Sequence, residues 1–164
     1  MSLASTKRLA KEYRALEKEA ENSTVIRDVD IAPVEEYDMF RWTGTIRGAP
    51  DTPYEGGVWK IDIKVPPTYP LQPPEIRFVT KICHPNIHFT TGEVCLDILK
   101  NHWTAAWTLQ SACIAVLALL SDPEIDSPLN IDAANVLRFN DKPAYDSLVK
   151  YFAYKYAISK DGDT

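Results

Sequence analysis

The segment between Lys81 and Ala106 holds the residues of this chain that are best suited to chemistry. Within it, Cys95 lies nine residues after Asn86 and shortly before Trp103. A thiolate can take an acyl group from another thioester at little energetic cost, because the attacking and leaving groups are alike. A nearby amide side chain can donate a hydrogen bond to the oxyanion that forms when a carbonyl is attacked. We therefore predict acyl transfer with Cys95 as the nucleophile and Asn86 beside it.

A zinc site is one alternative for the same segment. Its possible ligands are two cysteines and two histidines: Cys83, His84, His88 and Cys95. Structural zinc sites usually present their ligands in close pairs, whereas Cys95 has no partner within four residues. The spacing therefore disfavours a zinc site.

A thiol hydrolase is a second alternative, since His84, His88 and His102 could each serve as a base for the thiol. No hydrolase signature surrounds Cys95. His84 is followed by Pro85, and a ring on such a rigid turn more often bonds the backbone than transfers protons. Asn86 could likewise cap a turn.

The three cysteines differ in their surroundings. Free cysteines are most often small buried hydrophobes. Gly92 and Glu93 predict a turn just before Cys95, which favours a surface groove for this thiol. Cys113 belongs to an apolar stretch and is assigned to the core. The sequence does not assign Cys83 to either the core or the surface.

Composition limits the class of protein. The chain has 164 residues and a net charge of −5, which argues against nucleic acid as a partner because phosphate binding needs clustered positive charge. No apolar stretch is long enough to span a bilayer, so we expect no membrane insertion. Three cysteines without a repeated spacing fit a reducing compartment, the cytosol or the nucleus, and we predict a cytoplasmic location. We predict one α+β domain over residues 1–158 and a polar tail over 159–164.

Hydrophobic patterning predicts the order of the elements. The first twenty or so residues form an amphipathic helix that opens near Ser5 or Thr6. An antiparallel meander follows, with Ala32-Pro33 among its turns and four strands: Val25–Ile31, Met39–Ile46, Val58–Val65 and Glu75–Val79. The second half is helical, with helices over Thr108–Leu120, Ile131–Phe139 and Ala144–Ile158.

One face of the first helix is basic. Its cations are Lys7, Arg8, Lys11, Arg14 and Lys18. They fall out of phase with the apolar positions of the helix, which places most of them on its opposite side. From the helix alone, we favour a solvated face partly neutralised by Glu12 and Glu19.

Four motifs in order resemble the ubiquitin-conjugating enzyme family, over nearly the whole chain. They are Tyr54-Glu55-Gly56-Gly57, the proline-rich run Pro67 to Pro74, His84-Pro85-Asn86, and Gly92 to Leu99 around Cys95 followed by Trp103. The resemblance implies a fold of an N-terminal helix, a four-stranded antiparallel sheet and C-terminal helices. It also implies that Cys95 carries the C-terminus of ubiquitin as a thioester.

The resemblance assigns further roles. Asn86 stabilises the oxyanion or orders the loop, and His84 supports Asn86. The implied partners are ubiquitin, an activating enzyme and a RING-type ligase. The resemblance also implies that this enzyme itself needs no metal and no cofactor. The activating enzyme would contact Lys7, Arg8, Lys11 and Arg14, and the ligase would contact Leu71, Trp103, Thr104, Ala105 and Ala106.

Two stretches refine the resemblance. At the gate of the site, Asp126 and Ser127 would surround the incoming amine, with serine where many members have a second acid. The run Asp126 to Asp132, with the segment Ala144 to Phe152, is most similar to the fungal peroxisomal ubiquitin-conjugating enzymes. This implies recruitment to the cytosolic face of the peroxisome by a membrane anchor protein, and ubiquitination of a recycling import receptor on lysine or cysteine.

Overall fold

An N-terminal helix, an antiparallel sheet and three further helices follow one another along the chain. The computed structural model describes residues 2–25 and 27–158, so the tail predicted over 159–164 lies outside the described residues. The helices are α1 (Leu3–Glu21), α2 (Leu109–Ser121), α3 (Ile131–Arg138) and α4 (Lys142–Tyr156). The strands are β1 (Val29–Glu35), β2 (Asp38–Arg47), β3 (Val58–Lys64) and β4 (Glu75–Phe78). The predicted α+β class is confirmed.

The sheet is a meander in which each strand pairs antiparallel with the next, in the order β1-β2-β3-β4. Side chains alternate between its faces, and in β3 the buried residues Trp59, Ile61 and Ile63 alternate with exposed ones. The buried face packs against the helices in one core, which includes Leu9 of α1 and Val116 of α2. The sheet therefore gives the site its rigid base.

The predicted first strand and its turn are wrong. The strand was expected over residues 25–31 and lies over Val29–Glu35, so Ala32 and Pro33 are inside it. Pro33 pairs with Trp42 next to a register shift. Proline lacks the N–H of a ladder donor, and an edge strand such as β1 tolerates it.

The buried face of α1 includes two polar residues, Ser5 and Glu12. Its buried residues are Ser5, Leu9, Glu12 and Leu16. The helix begins at Leu3, two residues before the predicted start, and the Ser5 hydroxyl donates to the carbonyl of Pro67 at 2.8 Å. Glu12 was expected to neutralise part of a solvated basic face. It does pair with Arg8, but its side chain is buried rather than solvated.

The C-terminal helices begin at side-chain caps. Thr108 and Ser111 form a capping box at the start of α2. Asp141 accepts from the backbone of Ala144, so α4 begins at Lys142 rather than at Ala144. Cys113 is fully buried in α2, which confirms its assignment to the core.

No helix in the described ranges, 2–25 and 27–158, is long and apolar enough to cross a membrane.

Candidate active site

Cys95 lies on a short antiparallel hairpin that follows the sheet. Ile87 and Val94 form a bridge, and the backbone N–H of Cys95 donates to the carbonyl of Asn86 at 2.8 Å. Gly92 makes the turn at φ +73°, and a Cβ there would collide with the carbonyl oxygen of Phe78. Since Phe78 ends β4 and its N–H donates to the Gly92 carbonyl at 2.9 Å, the sheet fixes the position of the hairpin.

The Cys95 thiol differs from the other two thiols in exposure. Cys95 is partly exposed, whereas Cys83 and Cys113 are buried. Burial raises the pKa of Cys83 to about 11 and that of Cys113 to about 12, because a low-dielectric surrounding disfavours the thiolate. Of the three thiols, Cys95 is therefore the one that an external partner can reach.

The Asn86 side chain is fully buried and bonded to the segment that follows α2. Its Nδ2 donates to the carbonyl of Glu124 at 2.7 Å and to that of Ser127 at 3.4 Å. Its Oδ1 accepts from the Glu124 N–H at 2.8 Å. Because Nδ2 already has two backbone acceptors, this geometry favours loop support over direct donation to an oxyanion.

His84 is also fully buried, and its ring bonds only the backbone. Nδ1 accepts from the Asn86 N–H at 3.0 Å, and Nε2 lies 2.8 Å from the Leu119 carbonyl. Since a backbone N–H can only donate, the proton must be on Nε2. Burial lowers the pKa of His84 to about 4, against a smaller opposing effect of the Leu119 carbonyl. The ring is a neutral support for the Asn86 backbone.

The thiol-hydrolase alternative lacks its base. His88 Nδ1 accepts from the N–H groups of Thr90 and Thr91. In the part of the chain that the structure describes, no histidine nitrogen is hydrogen-bonded to the Cys95 thiol.

The zinc alternative concerns a different arrangement. Among residues 2–25 and 27–158, no group of three or more histidine, cysteine or acidic side chains is arranged to hold a metal ion.

The loop between α2 and α3, residues 122–130, which we call the gate segment, is hydrogen-bonded to the residue before Asn86. The Pro85 carbonyl accepts from the N–H groups of Leu129 and Asn130 at 2.8 and 3.0 Å. Within this segment, Asp126 and Ser127 are both exposed. The structure thus places both predicted gate residues at the surface, on a loop that Asn86 holds directly.

Comparisons with known proteins agree with this architecture. The family model for the ubiquitin-conjugating enzyme matches residues 8–153. The chain belongs to the ubiquitin-conjugating enzyme family. It is therefore a transferase that works with ubiquitin, an activating enzyme and a ligase.

Several relatives of this enzyme carry peroxisomal names. The ubiquitin-conjugating enzyme E2 pex4 of Dictyostelium discoideum is 53% identical over 149 residues, which cover 91% of this chain and 97% of the relative. Protein PEROXIN-4 of Arabidopsis thaliana is 49% identical over 160 residues, covering 97% and 99%. These relatives confirm the predicted peroxisomal subgroup and show that it extends beyond fungi.

A solved relative has the same fold. The ubiquitin-conjugating enzyme Pex4p of H. polymorpha, crystallised in complex with the soluble domain of Pex22p, superposes with a TM-score of 0.87. The two chains are 43% identical, and the match covers 93% of this enzyme and 98% of Pex4p. The predicted ubiquitin-conjugating fold is thereby confirmed.

The basic residues of α1 in this enzyme fall into two groups. Lys7, Lys11 and Arg14 are exposed. The Arg8 guanidinium instead bonds the carbonyls of Ala105 and Trp107 at 3.0 and 2.9 Å. Arg8 thus connects the predicted activating-enzyme face to the predicted ligase loop.

Glu12 extends the contacts made by Arg8 to two further parts of the chain, and the sequence did not predict these contacts. Its carboxylate accepts from Arg8 Nε at 2.6 Å, from the Tyr69 hydroxyl at 2.7 Å and from the Leu109 N–H at 2.9 Å. Burial, followed by the hydrogen bond to Glu12, holds the pKa of Tyr69 above its usual range. The i, i+4 spacing of Arg8 and Glu12 was a signal of their pairing.

Four of the five predicted ligase residues are exposed. Leu71 is 80% exposed, and Thr104, Ala105 and Ala106 are exposed as well. Trp103 is partly buried and its indole N–H donates to the Pro70 carbonyl at 2.9 Å. Trp103 therefore joins the two loops rather than standing free.

Proposed function

We propose that Cys95 accepts the C-terminus of ubiquitin as a thioester and passes it, with a RING-type ligase, to a substrate amine or thiol. The observation that carries this proposal is the partial exposure of Cys95 on a sheet-tethered hairpin, while the other two thiols are buried. In loading, the Cys95 thiolate attacks the thioester carbonyl on the activating enzyme. The new C–S bond forms as the old one breaks, and the sulfur of the activating enzyme leaves as the thiolate.

In the second step the substrate nucleophile attacks the same carbonyl, and Cys95 leaves as the thiolate. Asn86 acts as a positioning residue, because its amide holds the gate segment at Glu124 and Ser127. Asp126 and Ser127 shape the surroundings of the incoming amine from that segment. His84 in turn supports the backbone of Asn86.

The surfaces for the other enzymes are proposed from the same geometry. Lys7, Lys11 and Arg14 present positive charge to the activating enzyme from the exposed side of α1, and Arg8 orders the adjoining loop. For the ligase, the exposed Leu71 and the segment 104–106 form the contact, and Trp103 holds them together.

The pathway proposed for this enzyme is the recycling of a peroxisomal import receptor. It rests on the relatives named pex4 and PEROXIN-4 and on the complex of H. polymorpha Pex4p with Pex22p. We propose that the enzyme acts at the cytosolic face of the peroxisome and that a membrane anchor protein recruits it. Capture of such a partner by the purified enzyme tests this part separately.

Replacement of the nucleophile tests the chemistry. The enzyme is incubated with activating enzyme, ATP and ubiquitin, and the products are separated with and without a thiol reductant. The parent adduct should disappear on reduction, whereas Cys95→Ser should give an oxyester that survives it. Cys83→Ala and Cys113→Ala, which remove buried thiols without adding a polar group, should still load. Loading that survives Cys95→Ala but is lost in either control would refute the assignment.

A further inference from the structure

A second side chain, besides that of Asn86, holds the gate segment. The Arg138 guanidinium donates from Nη2 to the Ile125 carbonyl at 2.6 Å. Ile125 immediately precedes the two predicted gate residues, which are exposed. Among the described residues, the hydrogen bonds to the backbone of residues 124–127 come only from Asn86 and Arg138. Two side chains therefore determine where this stretch of the gate segment lies.

Arg138 is itself held in place on α3. It lies in the last turn of that helix, where the helix dipole favours a cation. Its Nη1 donates to Asn135 Oδ1 at 3.1 Å, about one turn earlier. Across residues 2–25 and 27–158, no aspartate or glutamate oxygen lies within 4.0 Å of the guanidinium group. Because the guanidinium is planar and Nη1 is bonded to Asn135, Nη2 is directed at the Ile125 carbonyl.

The helix that carries Arg138 is a firm base for this contact. Asn130 caps the start of α3 by accepting from the Ala133 N–H at 3.1 Å, and Ala133 and Ala134 are buried. A hydrogen bond from a charged donor is stronger than one between neutral groups. Arg138 is exposed, so solvent weakens this advantage and the contact adds little to the stability of the whole fold. Since residues 124–127 have few other bonds, the contact still restricts their position.

We infer that Arg138 is a positioning residue for ubiquitin transfer, which places Asp126 and Ser127 beside the incoming amine. It does so through the Ile125 carbonyl. The inference rests on the proposed function, since it concerns the attack of a substrate amine on a thioester at Cys95. The amine must approach the thioester carbonyl at a defined distance and angle, and a small displacement of the groups around it slows such a step strongly. Loading involves no acceptor amine and should not depend on Arg138.

Discharge to two different amines tests the inference. The enzyme is loaded with ubiquitin, ATP is removed, and the loss of the thioester is followed after addition of lysine or hydroxylamine. Lysine is mostly protonated at neutral pH and must be oriented and deprotonated, whereas hydroxylamine is small, neutral and reactive without such help. Arg138→Ala should slow discharge to lysine about fivefold and leave loading and discharge to hydroxylamine unchanged. A general loss of structure would slow both discharges alike.

Two further variants separate geometry from charge. Arg138→Lys keeps a cation on α3 but lacks the planar fork, so it cannot bond Asn135 and Ile125 in the same way. This variant should retain most of the defect in discharge to lysine. Lys142→Ala is the matched control, because it removes a cation of α4 whose side-chain bonds go to Asp146. Lys142→Ala should leave discharge to both amines unchanged.

Hydrogen exchange gives an independent measure of the gate segment. In Arg138→Ala, the peptide over residues 124–129 should exchange faster than in the parent, while α3 stays protected. Unchanged exchange of that peptide would overturn the inference, as would unchanged discharge to lysine, equal slowing of both discharges, or full rescue by Arg138→Lys. Each of these results leaves Cys95 as the nucleophile. Failure of the parent to form any thioester on Cys95 would overturn the proposed function as well.

Discussion

Asn86 and Glu124 are joined by two reciprocal hydrogen bonds, although they are 38 residues apart. The Asn86 amide donates to the Glu124 carbonyl at 2.7 Å and accepts from the Glu124 N–H at 2.8 Å. The side chain thereby imitates the backbone of a neighbouring strand. This pairing sets the position of the gate segment relative to Cys95, whose own N–H bonds the Asn86 carbonyl.

Asn86→Ala is expected to loosen the gate more than it weakens the nucleophile. It leaves the Glu124 N–H and carbonyl without protein partners, so the free energy of unfolding should fall by about 2 kcal/mol. Transfer to lysine should slow about tenfold or more, while the rate of loading should change much less. Single-turnover loading and discharge measure the two steps, and hydrogen exchange should show a faster-exchanging Glu124 amide.

Asn130→Ala is the control for lost stability. Asn130 caps α3 by accepting from the Ala133 N–H at 3.1 Å, and its removal should cost about 1 kcal/mol without touching the Asn86–Glu124 pair. Slow discharge by Asn86→Ala with an unchanged Glu124 amide would show that Asn86 acts directly on the oxyanion, against the loop-support role.

Arg8 links two surfaces that we expect to contact different enzymes, and its replacement tests this link. Arg8→Ala removes the donors to Ala105 and Trp107 and one donor to Glu12. The free energy of unfolding should fall by about 1–2 kcal/mol, since the Arg8 side chain is 27% exposed and solvent weakens the ion pair. Both loading and ligase-stimulated discharge should slow.

Arg14→Ala is the matched control on the same helix. Its guanidinium bonds only the Ala10 carbonyl, at 3.2 Å, among the described residues. It should slow loading, leave ligase-stimulated discharge unchanged and alter stability by less than about 0.5 kcal/mol. Equal effects of the two substitutions on discharge would contradict the link that we assign to Arg8.

Much of the sheet and of the helical half could be predicted from local patterns. The predicted β2, β3 and β4 differ from the observed strands by at most one residue at either end, because alternating burial and flanking turns are local signals. The first strand was misplaced because Pro33 is a turn signal in isolation. Only the position of β1 at the sheet edge makes a proline acceptable there.

The sequence suggested candidate residues for the site, but not the hydrogen bonds that connect them. Cys95 and Asn86 were nominated from their types and spacing and stay predictions, whereas the bonds from Asn86 to Glu124 join distant segments that no local pattern relates. Glu12 was misjudged because charge usually indicates solvent exposure. Its buried partners, Tyr69 and the Leu109 N–H, come from elements that meet only in the folded chain.

His84 makes stability depend on pH in a defined window. Burial lowers the pKa of His84 from 6.5 to about 4. Between these pH values the imidazole is protonated in the unfolded chain and neutral in the folded chain. The contribution of the neutral imidazole to the free energy of unfolding is about 3 kcal/mol. It is fully present above pH 6.5 and is lost as the pH falls toward about 4. Urea unfolding at a series of pH values should show this loss. His84→Gln has no group that titrates at this position. Its free energy of unfolding is lower at pH 7, but over the same pH window it should fall by about 3 kcal/mol less than that of the parent. Carboxylates titrate in both proteins and cancel in the comparison. Parallel pH profiles for the two proteins would contradict a buried neutral imidazole.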